Sequence, residues 1–235
     1  MITNPPIVDT RVIEQFFTDE ELAIFEEEYH ESLKTCTDSP FYRDGILQNT
    51  IHGLVLQHEP DVKKNIFRFK KTLDIITTKI KKEFGDDVEI HGKHILNSYQ
   101  PYKIHTDGIL GESGIDENNY GAWTIVIPLE TCNSNTIIFN EWYVPTKSLI
   151  DYINEGAEKK NGVSDEVYEK HLSAEFKPYM EYLSLDVIFP WKRGSLMAAS
   201  RYKFHASDNF PANGLLNKRA IILWTTLPLN KSTTN

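Results

Sequence analysis

The segment from Asn97 to Gly108 contains the only His-x-Asp motif of the chain, formed by His105 and Asp107. Two residues that are two positions apart on an extended strand share a face, so an imidazole nitrogen and a carboxylate oxygen can approach one point. This pair supplies half of a metal site. The motif is short, and it becomes informative only if other ligands occur elsewhere in the sequence.

Two later residues extend this pattern. His205 follows the β-rich segment Ser195 to Ser200, and Arg219 begins an otherwise apolar run that ends near Trp224. An arginine at the start of a buried strand needs an anionic partner, and a carboxylate ligand matches its planar set of donors. Two histidines and one carboxylate form the facial triad that favours non-haem Fe(II) and leaves coordination positions open.

The order His-x-Asp, His, Arg resembles the Fe(II)/2-oxoglutarate-dependent dioxygenase superfamily, and the resemblance extends from about Val88 to Leu227. It is strongest for the prolyl-hydroxylase-like and phytanoyl-hydroxylase-like branches. The resemblance implies iron ligation by His105, Asp107 and His205, and binding of the distal 2-oxoglutarate carboxylate by Arg219. It also implies consumption of O2, release of succinate and CO2, substrate hydroxylation, and ascorbate as a reductant.

Several weaker assignments also follow from the resemblance. Ile221 occupies a position where some branches have a serine that binds the cosubstrate, so another hydroxyl must serve here. Thr136 and Tyr99 resemble residues with that role. Four residues are predicted to line the substrate entrance: Tyr102, Trp142, Tyr143 and Arg201.

The elements around these residues favour a mainly β protein with flanking helices. A capping box at Thr18 to Glu21 predicts one helix, and a second is predicted from Pro60 to Gly85. Short β-rich runs without regularly interleaved helices then indicate an antiparallel sandwich or barrel. These runs are Val88 to Tyr99, Trp123 to Leu129, Thr136 to Trp142, Val187 to Trp191, Ser195 to Ser200 and Arg219 to Leu227.

The resemblance implies a double-stranded β-helix, the cupin-like jelly roll, buttressed by the N-terminal α-helices. We expect one domain over residues 1–235, with helical support in 1–86 and the β core in 87–230. The polar stretch 143–186 is predicted to be a lid insertion between two strands.

Composition narrows the possible partners. The chain has 235 residues, with 25 basic against 34 acidic side chains and a net charge of -9, which argues against a nucleic-acid partner. Hydrophobic residues at 40% and a mean hydropathy of -0.41 are typical of a globular protein without a membrane partner. The two cysteines match no zinc or disulfide pattern, and the first fifteen residues show no secretory signal, so a cytoplasmic location is expected. The oligomeric state stays open.

Three functions remain open at this point. The first is an oxygenase acting on a small molecule, an amino acid or a protein side chain. The second is a non-catalytic cupin-like module that binds a metal or a carboxylate. The third is a zinc hydrolase with the same three ligands, which is the least favoured because hydrolysis gives Arg219 no role.

Overall fold

A computed structural model describes residues 6–34, 42–43, 46–47, 51–57, 66–108, 115–116, 118–144 and 148–229. The strands are β1 (Arg11–Ile13), β2 (Tyr42–Arg43), β3 (Ile46–Leu47), β4 (Ile51–Gln57), β5 (Ile66–Arg68), β6 (Glu89–Ser98), β7 (Asn119–Pro128), β8 (Asn135–Trp142), β9 (Leu185–Pro190), β10 (Leu196–Ser200), β11 (Lys203–Ser207) and β12 (Lys218–Pro228). The α-helices are α1 (Asp19–Lys34), α2 (Lys70–Phe84), α3 (Leu149–Asn154) and α4 (Asp165–Val167). None of the described helices is long and apolar enough to cross a bilayer.

The strands form two main sheets. The larger has seven strands in the order β1-β10-β7-β12-β6-β4-β5, and all its pairs are antiparallel except β4 with β5. The smaller sheet has the order β11-β8-β9, and both of its pairs are antiparallel. Strands β2 and β3 form a separate pair. The chain is thus mainly antiparallel β with a few helices, which confirms the predicted jelly-roll class.

Helices α1 and α2 pack on the larger sheet. Phe25 of α1 and Ile76 and Ile80 of α2 are almost fully buried, in one cluster with Ile125 and Ile221 of the central strands. Burial of such side chains stabilises the fold by about 1.5–3 kcal/mol each. The two N-terminal helices therefore support the sheet that carries much of the site.

Both predicted helix signals have a counterpart in the structure. The Thr18 backbone N–H donates to the Glu21 carboxylate at 2.8 Å, and the Glu21 N–H donates to the Thr18 hydroxyl at 3.3 Å, which is a capping box. Helix α2 ends at Gly85, whose φ of 111° suits glycine and whose N–H donates to the Lys81 carbonyl at 2.9 Å.

The predicted start of the second helix is wrong. Pro60 lies outside the described residues, but Ile66–Arg68 form strand β5 and the helix begins only at Lys70. The backbone of β5 pairs with β4. Residues that also fit a helical pattern are therefore extended and belong to the sheet. The N-terminal region thus adds β1, β4 and β5 to the larger sheet, besides its helices.

The polar insertion connects β8 to β9. It contains α3, α4, a π-helical turn at Tyr168–Leu172 and a 3-10 helix at Lys177–Tyr182. Leu149, Leu172 and Met180 are buried there together with Phe204 of β11, so the insertion packs on the smaller sheet. The Ser164 hydroxyl accepts the Val167 N–H and caps α4.

Candidate metal centre and adjoining pocket

Three side chains from distant parts of the chain meet at one point. The ligand atoms of His105, Asp107 and His205 all lie within 4.8 Å of one another. The Nε2 atom of His205 is 3.2 Å from Asp107 Oδ2, and that of His105 is 3.6 Å from Asp107 Oδ1. The structure therefore brings together the three residues predicted to hold a metal.

Backbone hydrogen bonds hold these residues in register. His205 lies within β11, while His105 and Asp107 lie in the loop after β6. The N–H groups of His105 and His205 donate to each other's carbonyls at 3.1 and 2.9 Å, and the Asp107 N–H donates to the Arg201 carbonyl at 2.8 Å. The His-x-Asp segment is thus a loop bridged to β11, rather than the continuous strand that its spacing suggested.

Hydrogen bonds also set the direction of each ligand atom. The Nδ1 atoms of His105 and His205 lie 2.6 and 3.1 Å from the carbonyls of Lys103 and Lys203. A carbonyl only accepts, so each Nδ1 carries the hydrogen and each Nε2 lone pair is left for a metal. The Thr124 hydroxyl donates to Asp107 Oδ2 at 2.6 Å and orients the carboxylate.

The electrostatics of the site favour an ionised carboxylate. Burial by itself would raise the pKa of Asp107, but the His205 and His105 imidazoles and the Thr124 hydroxyl hold that pKa well below its usual range. Burial would lower the pKa of His205, and the Asp107 carboxylate outweighs this and raises it. A divalent cation that binds here must displace any proton on the imidazoles, so its affinity falls with acidity.

The donor set fits a non-haem iron. Two imidazole nitrogens and one carboxylate oxygen are the ligands of the facial triad that holds Fe(II) with open positions. Catalytic zinc uses the same set in some enzymes. The three side chains fit an iron site and a zinc site equally well. Only the other residues of the adjoining pocket can distinguish the two kinds of site.

A pocket of about 420 Å³ adjoins the three ligands and lies between the two sheets. Most of its lining surface is apolar, and polar side chains are interspersed among the apolar and aromatic ones, as in small-molecule sites. Besides the three ligands, the lining residues are Leu96, Ser98, Tyr102, Lys103, Thr124, Val126, Thr136, Trp191, Ala206, Ser207, Lys218, Ala220, Ile222 and Trp224.

Lys218 is the buried cation of this pocket. Its side chain is only 3% exposed, and its ammonium donates to the Ser134 hydroxyl at 2.8 Å. The ammonium lies 4.1 Å from the centre of the Trp191 ring and 3.6 Å from the Asp208 carboxylate. Burial lowers the pKa of Lys218 to about 8, against the opposing effect of Asp208.

Arg219 does not occupy the predicted position. Side chains alternate along a strand, and Lys218, Ala220, Ile222 and Trp224 of β12 line the pocket. Arg219 lies on the opposite face, where its guanidinium is 5.1 Å from the centre of the Tyr29 ring of α1. The sequence pattern was not used to identify Lys218. The alternation along β12 was a signal for it, because Lys218 shares a face of the strand with Ala220 and Ile222.

The two predicted cosubstrate hydroxyls lie in different places. Thr136 lines the pocket, and its oxygen accepts the Trp191 indole N–H at 2.9 Å, so its own hydrogen can be donated to a ligand. Tyr99 is not among the lining residues, and its hydroxyl accepts the Asn97 amide N–H at 3.0 Å. Only Thr136 is placed to contact a molecule in the pocket.

Of the four residues predicted at the entrance, only Tyr102 lines the pocket. It is 38% exposed, and its ring stacks on the His105 imidazole with centroids 5.2 Å apart. Trp142 is exposed at the end of β8, and Tyr143 is buried in the cluster formed with the insertion. Arg201 is fully buried and donates to the Asp107 carbonyl at 2.8 Å, so it supports the loop that carries His105 and Asp107.

Known structures provide an independent comparison. No protein-family model matches the chain, and no curated protein matches it. The epimerase SnoN, solved in complex with Fe3+, alpha-ketoglutarate and nogalamycin RO, aligns with a TM-score of 0.51 over 93% of this chain and 78% of its own, at 10% identity. HygX from Streptomyces hygroscopicus, solved with nickel and 2-oxoglutarate, aligns with a TM-score of 0.51 over 94% of this chain and 83% of its own, at 12% identity.

The chain has the fold of these 2-oxoglutarate-binding proteins. The alignments cover nearly the whole chain, so the likeness concerns the fold of the chain as a whole. At this low identity the likeness concerns the fold. Function has to be argued from the residues of the site.

Proposed function

We propose that the protein is an Fe(II)- and 2-oxoglutarate-dependent oxygenase, and that it hydroxylates its substrate with release of succinate and CO2. The observation that carries the proposal is the presence of a facial triad and a buried lysine in one pocket. A zinc hydrolase needs the triad but gives the lysine no task. A cosubstrate with a chelating end and a distal carboxylate uses both.

His105, Asp107 and His205 would hold the iron through the two Nε2 atoms and the carboxylate. When bound, the iron supplies the oxidation chemistry, in which O2 and 2-oxoglutarate are consumed as the substrate is oxidised. The chain's own residues fix the orientation of the ligands. Thr124 and the two backbone carbonyls hold each ligand atom toward the metal.

Lys218 would bind the distal carboxylate of 2-oxoglutarate, with the Thr136 hydroxyl as a second donor. Both residues line the pocket, on strands of opposite sheets. A charge-assisted hydrogen bond in a dry site is stronger than a neutral one, so the buried ammonium selects for an anionic group. Apolar walls at Leu96, Val126 and Ile222 keep water from these contacts.

The substrate would enter on the side of the pocket lined by Tyr102 and Lys103, both of which are exposed. The SnoN complex with nogalamycin RO favours a small molecule as substrate, although an amino acid or a protein side chain also fits the proposal. Because SnoN is an epimerase, the fold does not by itself require that the substrate is hydroxylated. Hydroxylation is therefore part of the proposal.

The test begins with the protein loaded anaerobically with Fe(II). We expect 2-oxoglutarate to produce a visible absorption band, and we expect O2 with ascorbate then to yield succinate, which a panel of substrates accelerates. The Asp107→Ala variant should show neither. Absence of the band in the wild type would overturn the proposal. A band without O2 consumption over the whole panel would indicate a binding module, and turnover without O2 in the zinc-loaded protein would indicate a hydrolase.

A further inference from the structure

A second buried charge lies behind the Lys218 ammonium. Asp208 is fully buried just after β11, and Lys218 is 3% exposed on β12. Their charged atoms are 3.6 Å apart. The Ser134 hydroxyl bridges them, because it accepts from Lys218 at 2.8 Å and donates to Asp208 Oδ1 at 2.6 Å.

Asp208 is itself held in place by amide groups. Its Oδ2 atom accepts the Asn135 amide at 3.1 Å and the Asn213 amide at 3.5 Å. These contacts fix a carboxylate that no water reaches. An unpaired buried charge is strongly destabilising, so these hydrogen bonds hold the carboxylate in one position.

The surroundings of Lys218 explain what this carboxylate does. Aromatic rings of Trp191 and Phe210 lie 4.1 and 5.0 Å from the ammonium, and they do not replace the hydration that burial removes. A buried lysine without a counter-ion loses up to several units of pKa and becomes neutral near physiological pH. Within the described part of the chain, Asp208 is the carboxylate that forms an ion pair with Lys218.

Other titratable groups lie near the pair. The Cys132 thiol faces Lys218 from the turn between β7 and β8, and burial raises its pKa to about 11, so it stays neutral. Glu130 faces the same thiol. His171, from the insertion, faces Asp208, and its pKa is lowered mainly by burial, so it adds no charge above neutral pH.

We propose that Asp208 is a positioning residue that keeps Lys218 protonated in the empty pocket, so that a carboxylate binds at neutral pH without proton uptake. The inference rests on the proposed function. Ser134 transmits the contact. Because the ammonium donates to the Ser134 hydroxyl at 2.8 Å and to the Asn135 carbonyl at 3.4 Å, one of its three hydrogens is left for the ligand. The Asp208 carboxylate also repels the carboxylate of the ligand. This repulsion lowers the affinity for the ligand somewhat, while Asp208 keeps Lys218 charged.

This role predicts a particular behaviour of the isosteric variant Asp208→Asn. Without the carboxylate, Lys218 should be mostly neutral at pH 7, and 2-oxoglutarate should bind together with a proton. Each unit by which the lysine pKa falls below pH 7 weakens binding at pH 7 about tenfold, because the protonated fraction falls by that factor. Affinity should recover progressively as the pH is lowered toward 6, because more of Lys218 is protonated while both cosubstrate carboxylates are still ionised.

Calorimetry under anaerobic conditions measures this directly. The Fe(II)-loaded protein is titrated with 2-oxoglutarate in two buffers of different ionisation enthalpy, from pH 6 to 8.5. We expect proton uptake near zero in the wild type at pH 7 and near one in Asp208→Asn. The control is Asn213→Ala, which removes an amide donor from Asp208 and leaves the charges unchanged, and it should behave as the wild type. Equal uptake in Asp208→Asn and the wild type would overturn the inference.

Two further measurements keep this test separate from that of the proposed function. If wild-type protein binds no 2-oxoglutarate, the proposed function fails. The inference is then tested by an NMR titration of the ¹⁵N-labelled Lys218 ammonium in the full-length chain, whose midpoint should decrease by at least one unit in Asp208→Asn. An unchanged midpoint contradicts it. If Asp208→Asn does not fold, the wild type alone tests the inference: uptake of about one proton on binding of 2-oxoglutarate at pH 7 would contradict it.

Discussion

Two neighbouring positions on β12 allow one decisive comparison. Lys218 lines the pocket, whereas Arg219 lies on the other face against α1. In Lys218→Met the ammonium is replaced by an apolar side chain of similar length, and one hydrogen bond between charged groups is lost. Such a bond contributes about 1.5–3 kcal/mol, so 2-oxoglutarate affinity should fall about 10- to 150-fold. In Arg219→Met the affinity should change by less than about twofold, because the contacts that are lost lie against α1 on the face of β12 opposite the pocket.

The assay is the calorimetric dissociation constant of 2-oxoglutarate with metal-loaded protein at pH 7. Lys218→Met leaves the buried Asp208 carboxylate without its cation, so the melting temperature should fall. Titrations are therefore performed well below the measured melting temperature, where both variants are folded. A large loss of affinity in Arg219→Met with none in Lys218→Met would refute the assignment of the anchor.

Three further substitutions test the supports of the metal centre and the core. Thr124→Val removes the hydroxyl that donates to Asp107, so metal affinity measured by competition with a chelator should fall about tenfold, and unchanged affinity would exclude this role. In Gly108→Ala the new Cβ would overlap the Tyr202 ring, so the loop that carries His105 and Asp107 must shift. Metal affinity should again fall about tenfold, and retained affinity would show that the loop accommodates the added methyl group. Ile76→Ala should lower the free energy of unfolding by about 2–5 kcal/mol in urea without changing metal affinity, and a cost below 1 kcal/mol would argue against the packing of α2.

Much of the β core was predictable because its sequence signal is local. Strand β8 (Asn135–Trp142) begins one residue before the predicted segment, and β12 (Lys218–Pro228) differs by one residue at each end. These strands combine β-branched and aromatic residues between polar turns, which strongly favours extended structure. Strand β5 was assigned to a helix, because its residues also fit a helical pattern and only the parallel pairing with β4, which the sequence does not show, makes the segment extended.

Residue types and their order in the sequence were enough to select the three metal-binding candidates, because few side chains ligate iron and His-x-Asp occurs once. Which face of β12 lines the pocket was beyond the reach of the sequence. Adjacent residues of a strand point in opposite directions, and the packing of α1 on one face decides that Lys218, instead of Arg219, lies in the pocket. The buried ion pair between Lys218 and Asp208 likewise forms only because the end of β11 lies close to the start of β12. Composition therefore determined which chemistry is available, and the tertiary structure decided which side chains take part in it.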